Sequence, residues 1–346
     1  MLDFDFKVFG LRFRLWAREY ELQDYPMLKT LVSGVAGFIG SHLAERLIKE
    51  GFDVIGLDSF EDYYPKWIKE KNIESLLKSP KFTFLETNLL SDDLWNSSPL
   101  ASNLKEIDYI FHQAAQAGVR RSWGKDFQIY TRNNILITQK LLEITKDLNI
   151  KKFIYASSSS VYGDVESFPI KETATVKPLS PYGVSKLAGE NLCQLYHKNF
   201  NVPITCLRYF TVYGPRQRPD MAFHKFIKAL IKNEKIHIYG SGKQTRDFTY
   251  ISDVIKATLL ALNAPSGEVF NIGGGNKIGL MDALSLIEAL IGKKAKIKKM
   301  DAQKGDVHST WADIKKANSL LGYKSKILLE EGLKEEILWI KEIYKI

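Results

Sequence analysis

The stretch whose reading decides the fold is residues 28–58, LKTLVSGVAGFIGSHLAERLIKEGFDVIGLD. An apolar run, LKTLVSG, leads at once into glycines at 34, 37 and 40, then a helical pattern over 41–50 and a second apolar run, FDVIGLD. Strand, glycine-rich turn, helix and strand make a βαβ unit. Gly34, Gly37 and Gly40, with Phe38 and Ile39 between them, let the backbone turn tightly and approach a pyrophosphate, which the free N–H groups of a helix N-terminus attract. Asp58 ends the second strand, where a carboxylate accepts both ribose hydroxyls and repels a 2′-phosphate. The unit points to NAD rather than NADP. Its alternative is a strand–helix turn with no ligand.

Working outward, FTFLE, IDYIFHQAA, KKFIYASSSS and PITCLRYF read as further strands, separated by helical patterns such as 126–148. Near-continuous apolar strands alternating with helices predict a Rossmann-type α/β fold built on a doubly wound parallel sheet. After about Pro215 the alternation loosens, with short strands expected near Lys235–Tyr239 and 269–272, which predicts a smaller C-terminal α/β lobe. The division is therefore an extension over 1–26, an NAD-binding domain with the catalytic residues over 27–214, and a lobe over 215–346 that mainly binds substrate. Within 1–26, FKVFGLRFRLW alternates apolar and basic residues. It reads as an edge strand, an interfacial amphipathic segment or, preferably, an upstream extension that the core does not need. It lacks the uninterrupted apolar stretch of a signal peptide.

With 45% hydrophobic and 26% charged residues, the composition is that of an ordinary globular protein with ample core. No apolar run approaches the length of a membrane span. Cys193 and Cys206 show no metal-ligand spacing and the six histidines are scattered, so neither a disulfide scaffold nor a metal site is expected, and a cytoplasmic location is the default. The net charge of +9 raises a nucleic-acid reading, but the excess lies on helical faces and in KKAKIKK over 293–299, with no binding motif beside it. A cleft for anionic small molecules accounts for it better.

In SPYGVSKLAGE, Tyr182 and Lys186 lie four residues apart on a predicted helix and so share a face. A phenol is a poor base at neutral pH, and a nearby ammonium together with an oxidised nicotinamide would favour its phenolate. Tyrosine and lysine at this spacing are common on amphipathic helices. Behind a dinucleotide turn and beside YASSSSVYG, the pair gains weight.

On these motifs, in this order, the chain from residue 27 onward resembles the extended short-chain dehydrogenases/reductases of the NAD-dependent nucleotide-sugar epimerase and dehydratase family. The resemblance implies a catalytic triad of Ser158, Tyr182 and Lys186. It also implies cofactor contacts at Leu89, Ala114, Asn134 and Tyr209. In ETNLL, Asn88 replaces the family's usual adenine-side aspartate. In NILIT, Ile137 replaces a glycine, which touches helix packing rather than chemistry. In GSGKQTRDFTY, Arg246 corresponds to an arginine that grips the substrate diphosphate, and in KGDVHSTWAD, Asp306 to a contact with the nucleotide ribose. Dehydratases carry Asp and Glu where this chain has Ser159 and Ser160, which disfavours loss of water.

The remaining motif is LRYFTVYGPRQRPDMAF over 207–223, a loop stiffened by Pro215 and Pro219 and loaded with Arg216 and Arg218. A guanidinium fork suits planar carboxylate or phosphate recognition. The loop most resembles that of UDP-glucuronate 4-epimerases, which implies that Arg218 binds the C6 carboxylate of a UDP-sugar with Thr211 close by. The alternative for Arg218 is an internal pair with Asp220. Arg216 remains open between a diphosphate and a surface role. Alternative activities are a 4-epimerase of UDP-glucose or UDP-N-acetylglucosamine, a UDP-glucuronate decarboxylase, or a non-catalytic dinucleotide sensor. The family implies a homodimer, for which Leu187, Leu192 and Leu195 could supply an apolar seam or face their own core.

Overall fold

The computed structural model describes residues 28–346 together with two short strands, Asp5–Val8 and Leu11–Arg14, which pair antiparallel with each other. The expectations for 1–26 otherwise lie outside the described residues.

The βαβ unit forms as its sequence predicts: β1 (Lys29–Ser33), α1 (Phe38–Lys49) and β2 (Asp53–Asp58). The helix α2 (Lys66–Ile73) and then β3 (Phe82–Glu86) follow, and the chain crosses back to β4 (Ile107–His112) on the other side of β1. Next in the sheet come β5 (Lys152–Ser158) and β6 (Ile204–Tyr209). The strand expected near 269–272 is β7 (Glu268–Ile272), which pairs parallel with β6 and forms an edge of the same sheet. The order is β7-β6-β5-β4-β1-β2-β3, all parallel. β5 and β6 are buried throughout, as strands covered by helices on both faces must be. The chain thus re-enters the main sheet after residue 215, because the apolar face of Val269, Phe270 and Ile272 finds its partner there rather than in the lobe.

The helical pattern over 126–148 is one run in three parts: α-helix Phe127–Tyr130, a π turn Thr131–Leu136, and α-helix Ile137–Thr145. Ile137 is buried with Leu141 and Leu142, so the residue that replaces glycine packs into the core without breaking the run. The helix α3 (Pro181–Phe200) starts with Pro181 in its first turn and the Ser180 hydroxyl accepting from Gly183 N–H at 3.1 Å. Of the three leucines offered as a seam, Leu187 and Leu192 pack against this chain's own core and only Leu195 is exposed. Beyond residue 215, α4 (Ala222–Ile231) and α5 (Leu329–Tyr344) enclose a third apolar cluster with a small parallel pair, Lys235–Tyr239 beside Lys296–Met300. Between this lobe and the C-terminal ends of the strands lies a cavity of about 970 Å³. It opens where the chain leaves β1 and β4 in opposite directions, the position at which doubly wound sheets bind ligands. Among the described residues, no helix is long and apolar enough to cross a membrane.

Candidate active site

At the end of β1 the chain turns at Gly34 with φ +72°, and a Cβ there would lie 2.7 Å from the Ala114 backbone. A Cβ on Gly40 would lie 2.1 Å from the Gly34 carbonyl oxygen, so α1 can begin this close to the turn only without a side chain. The cradle leaves the α1 N-terminus facing the cavity, with Phe38 and Ile39 in its wall. At the end of β2, the Asp58 carboxylate accepts from Ala36 N–H at 3.0 Å and from Phe60 N–H at 2.9 Å. Burial pushes its pKa up, while those two donors and the Lys69 charge pull the other way.

Leu89, Ala114 and Tyr209 also line the cavity; the Tyr209 hydroxyl meets Thr258 Oγ1 at 2.8 Å, and burial pushes its pKa up to about 12. Two residues expected to contact the cofactor do not line the cavity. Asn88 is exposed and accepts from Leu90 N–H at 2.9 Å, closing a local turn whose neighbours Thr87 and Leu89 reach the cavity instead. Asn134 is buried, and its amide is occupied by the Gln116 backbone N–H at 2.7 Å, the Gln116 carbonyl at 2.9 Å and Ser185 Oγ at 2.8 Å. It braces the site from behind rather than lining it.

Ser158 ends β5. Its Oγ accepts from Ser160 N–H at 3.1 Å, and Ser159, Ser160 and Tyr182 line the same wall. Burial raises the Tyr182 pKa, opposed by the Ser158 hydroxyl and by the Arg218 charge. Lys186 lies one helical turn on. Its Nζ is 4.4 Å from the Tyr155 ring centroid, and burial lowers its pKa to about 8. The Lys186 ammonium lies over the Tyr155 ring, and the Arg218 charge also acts on the Tyr182 phenol.

The arginine loop sends its two guanidinium groups to opposite sides. Arg216, at φ +67°, pairs with Glu45 of α1 at 2.7 Å, which is neither the diphosphate nor the free surface role left open for it. Between them Gln217 is buried, donating to Val212 O at 3.1 Å and accepting from His224 N–H at 3.1 Å. Arg218 lines the cavity and pairs bidentately with Asp220, at 2.9 and 3.0 Å. Thr211 lies on the same wall. Further along, Arg246 lines the cavity with Nη1 donating to Thr245 O at 2.8 Å, and Asp306 pairs with Arg120 at 2.8 Å.

The profile of the NAD dependent epimerase/dehydratase family matches residues 30–273. The chain belongs to that family. The Bacillus cereus UDP-glucuronic acid 4-epimerase, crystallised with UDP-glucuronic acid and NAD, is 47% identical with a TM-score of 0.87, over 92% of this chain and all of that one. The uncharacterized UDP-glucose epimerase YtcB of Bacillus subtilis is 46% identical over 92% of this chain and 99% of its own. The UDP-glucuronate 4-epimerase of Thermodesulfobacterium geofontis is 42% identical over 90% of this chain and 96% of its own.

NAD is the cofactor of the epimerase/dehydratase family, and the glycine cradle with its open helix terminus and terminal carboxylate fits a dinucleotide without a 2′-phosphate. Several cavity residues carry weight that sequence reading missed. Arg120 and Arg121 follow β4 as an adjacent basic pair, the one available signal for them. Tyr63, from the loop after β2, donates to Asp220 at 3.0 Å. Lys225 of α4 faces the same space as Arg120 and Arg246. Nothing local in the sequence marks Tyr63 or Lys225, because each reaches the site only once the lobe has folded over the sheet.

Proposed function

We propose that this epimerase interconverts UDP-glucuronate and UDP-galacturonate through a transient 4-keto sugar. The observation that carries the uronate is Arg218, which lines the cavity with 21% of its side chain exposed and a charge that reaches the Tyr182 phenol. Only C5 separates C4 from C6 in a pyranose, so the group serving O4 and the group serving the carboxylate must be neighbours.

Bound NAD supplies a hydride acceptor, and then a hydride donor, at sugar C4. Tyr182 takes the proton from O4 and returns it, and Ser158 hydrogen-bonds the same oxygen. Lys186 holds the nicotinamide ribose and Asp58 the adenosine ribose. The turn from Gly34 to Gly40 takes the cofactor pyrophosphate on backbone N–H groups. On the other side Arg246, with Arg120 and Lys225, meets the diphosphate of the nucleotide sugar, and Asp306 its ribose. In this reading residues 27–214 carry NAD and the chemistry, while 215–346 mainly hold the nucleotide sugar. Ser159 and Thr211 wall the sugar, and neither can act as a dehydratase acid.

A 4-keto hexuronate is a β-keto acid. When its C5–C6 bond aligns with the carbonyl π-system, that bond breaks, its electron pair passes to the C4 carbonyl, CO₂ leaves, and C5 takes up a proton to give a UDP-4-keto-pentose. A charge-assisted contact from Arg218 keeps the carboxylate ionised and fixes its direction.

A neutral hexose is the second reading. The Asp220 carboxylate offsets the Arg218 charge, and the Bacillus subtilis relative is named a UDP-glucose epimerase. Incubation with UDP-glucuronate and NAD, with products resolved by chromatography and NMR, separates the two. UDP-galacturonate without accumulating NADH supports the uronate, and Arg218→Ala then loses that turnover. Turnover of UDP-glucose or UDP-N-acetylglucosamine alone, or release of UDP-xylose, overturns it. A homodimer belongs to the same proposal: Val184 and Leu195 on α3 and Leu136 on the adjoining π turn are exposed, an apolar face suited to a second copy and testable by light scattering.

A further inference from the structure

A guanidinium has five N–H donors in a fixed plane, which form two bidentate edges. In Arg218 the edge made by Nε and Nη2 is taken, with Nε donating to Asp220 Oδ1 at 2.9 Å and Nη2 to Oδ2 at 3.0 Å. The two Nη1 protons and the second Nη2 proton have no acceptor among the described residues, and that Nη2 proton with the Nη1 proton beside it makes the other edge, on a residue that lines the cavity. An internal partner for Arg218 therefore does not compete with a substrate carboxylate. It leaves one whole edge for it.

Asp220 is itself anchored. Tyr63 donates its hydroxyl to Oδ2 at 3.0 Å, and the Arg218 guanidinium carbon lies 5.7 Å from the centroid of the Tyr63 ring. Tyr63 is held in turn by Arg121, whose guanidinium carbon is 5.0 Å from the same ring and whose Nη1 donates to Tyr63 O at 3.4 Å. Gly118 leaves room for the phenol, since a Cβ there would lie 2.2 Å from the Tyr63 hydroxyl oxygen. Burial pushes Asp220 up, but the Arg218 charge and the hydrogen bonds from Arg218 and Tyr63 outweigh it and hold the carboxyl below its ordinary range. Burial and the Asp220 charge keep Tyr63 protonated, hence a donor.

We propose that Asp220 and Tyr63 are positioning residues that fix the plane of the Arg218 guanidinium, so that Arg218 receives the C6 carboxylate of the substrate on its free Nη1–Nη2 edge. This rests on the UDP-glucuronate reading and deepens it. A carboxylate bound edge-on takes its orientation from the guanidinium plane, and that orientation governs alignment of the C5–C6 bond with the C4 carbonyl. Asp220 and Tyr63 thus govern how often the intermediate loses CO₂, more than how tightly substrate binds.

The test compares wild type, Asp220→Asn and Tyr63→Phe on UDP-glucuronate labelled at C6, measuring UDP-galacturonate formed against labelled CO₂ released, with NAD affinity and KM alongside. In Asp220→Asn the Arg218 charge remains but its clamp weakens. The fraction lost as CO₂ should then rise roughly tenfold, with KM changed by less than about threefold because the binding edge itself is untouched. Tyr63→Phe, which removes only a hydroxyl and remains informative where Asp220→Asn fails to fold, should move the same ratio in the same direction by less. A purely structural role would lower turnover without moving the ratio, and an unchanged ratio in the folded variants overturns the proposal. Wild type that epimerises UDP-glucuronate beside unaltered variants sinks the clamp alone. Wild type that handles only neutral sugars sinks the clamp and the uronate together.

Discussion

Asn134 Nδ2 lies 2.8 Å from Ser185 Oγ, and that hydroxyl donates to the Tyr182 carbonyl at 2.8 Å, so a π turn fastens the helix that presents Tyr182 and Lys186. The same amide ties down the backbone of Gln116 beyond β4. π turns recur at functional sites, and this one brings a polar side chain inward between two walls of the cavity.

Asn134→Ala should therefore damage chemistry more than cofactor binding. Turnover is expected to fall roughly tenfold or more while the NAD dissociation constant stays within about threefold, since misplacement of a general base is costly and no cavity contact is lost. Steady-state kinetics beside an NAD titration decide it. Collapse of NAD affinity with kcat retained would make Asn134 a direct cofactor contact.

Asp58 should govern which dinucleotide is accepted. Asp58→Asn removes the charge that repels a 2′-phosphate, and the preference for NAD over NADP should fall by roughly tenfold. Because the carboxylate also accepts from Ala36 and Phe60, the variant should lose about 1 kcal/mol of stability. Competitive binding of the two dinucleotides and a urea titration measure the two effects separately.

Glu190 and Arg208 form a buried ion pair, at 2.5 and 3.0 Å, with side chains only 4% and 7% exposed. Ser157 donates to Glu190 at 2.6 Å and Arg208 donates to the Tyr162 hydroxyl at 2.7 Å, so the network joins α3 to β5 and β6. Glu190→Gln leaves a buried guanidinium without its counter-charge and should cost roughly 3–5 kcal/mol. Denaturant midpoints test this, and a cost below about 1 kcal/mol would place the pair outside the essential core.

Buried histidines should set the acid limit of stability. Burial, with the Lys186 charge, lowers the His112 pKa to about 3, and burial foremost lowers that of His224 to about 4. Each stays neutral in the folded chain and takes up a proton on unfolding below the ordinary histidine range. Stability from these sites is thus complete above about pH 6.5 and is lost as pH falls, by about 1.4 kcal/mol per pH unit for each. His42, lowered to about 4 by burial and the Arg216 charge, acts in the same direction. His112→Gln should make the fall in melting temperature between pH 6.5 and pH 5 shallower; an unchanged slope would exclude His112 as a contributor.

Periodicity and spacing determined a great deal. The strand–glycine–helix unit, Asp58 at the end of β2, and Tyr182 and Lys186 on one face of α3 are legible because backbone sterics and helical repeat act within a few residues. Other features depend on partners distant in the chain. Arg216 and Arg218 look alike two residues apart, yet one pairs with Glu45 and the other faces the cavity beside Tyr63. Arg120 meets Asp306 across 186 positions, and β7 returns to a sheet the chain had left. Local sequence thus determined the dinucleotide unit and the spacing of Tyr182 and Lys186. Tertiary structure decided which arginine faces the cavity, what holds it, and that the Asn134 amide joins Gln116 to Ser185. Burial and long-range pairing settle such choices, because a polar side chain takes the partner that packing places beside it.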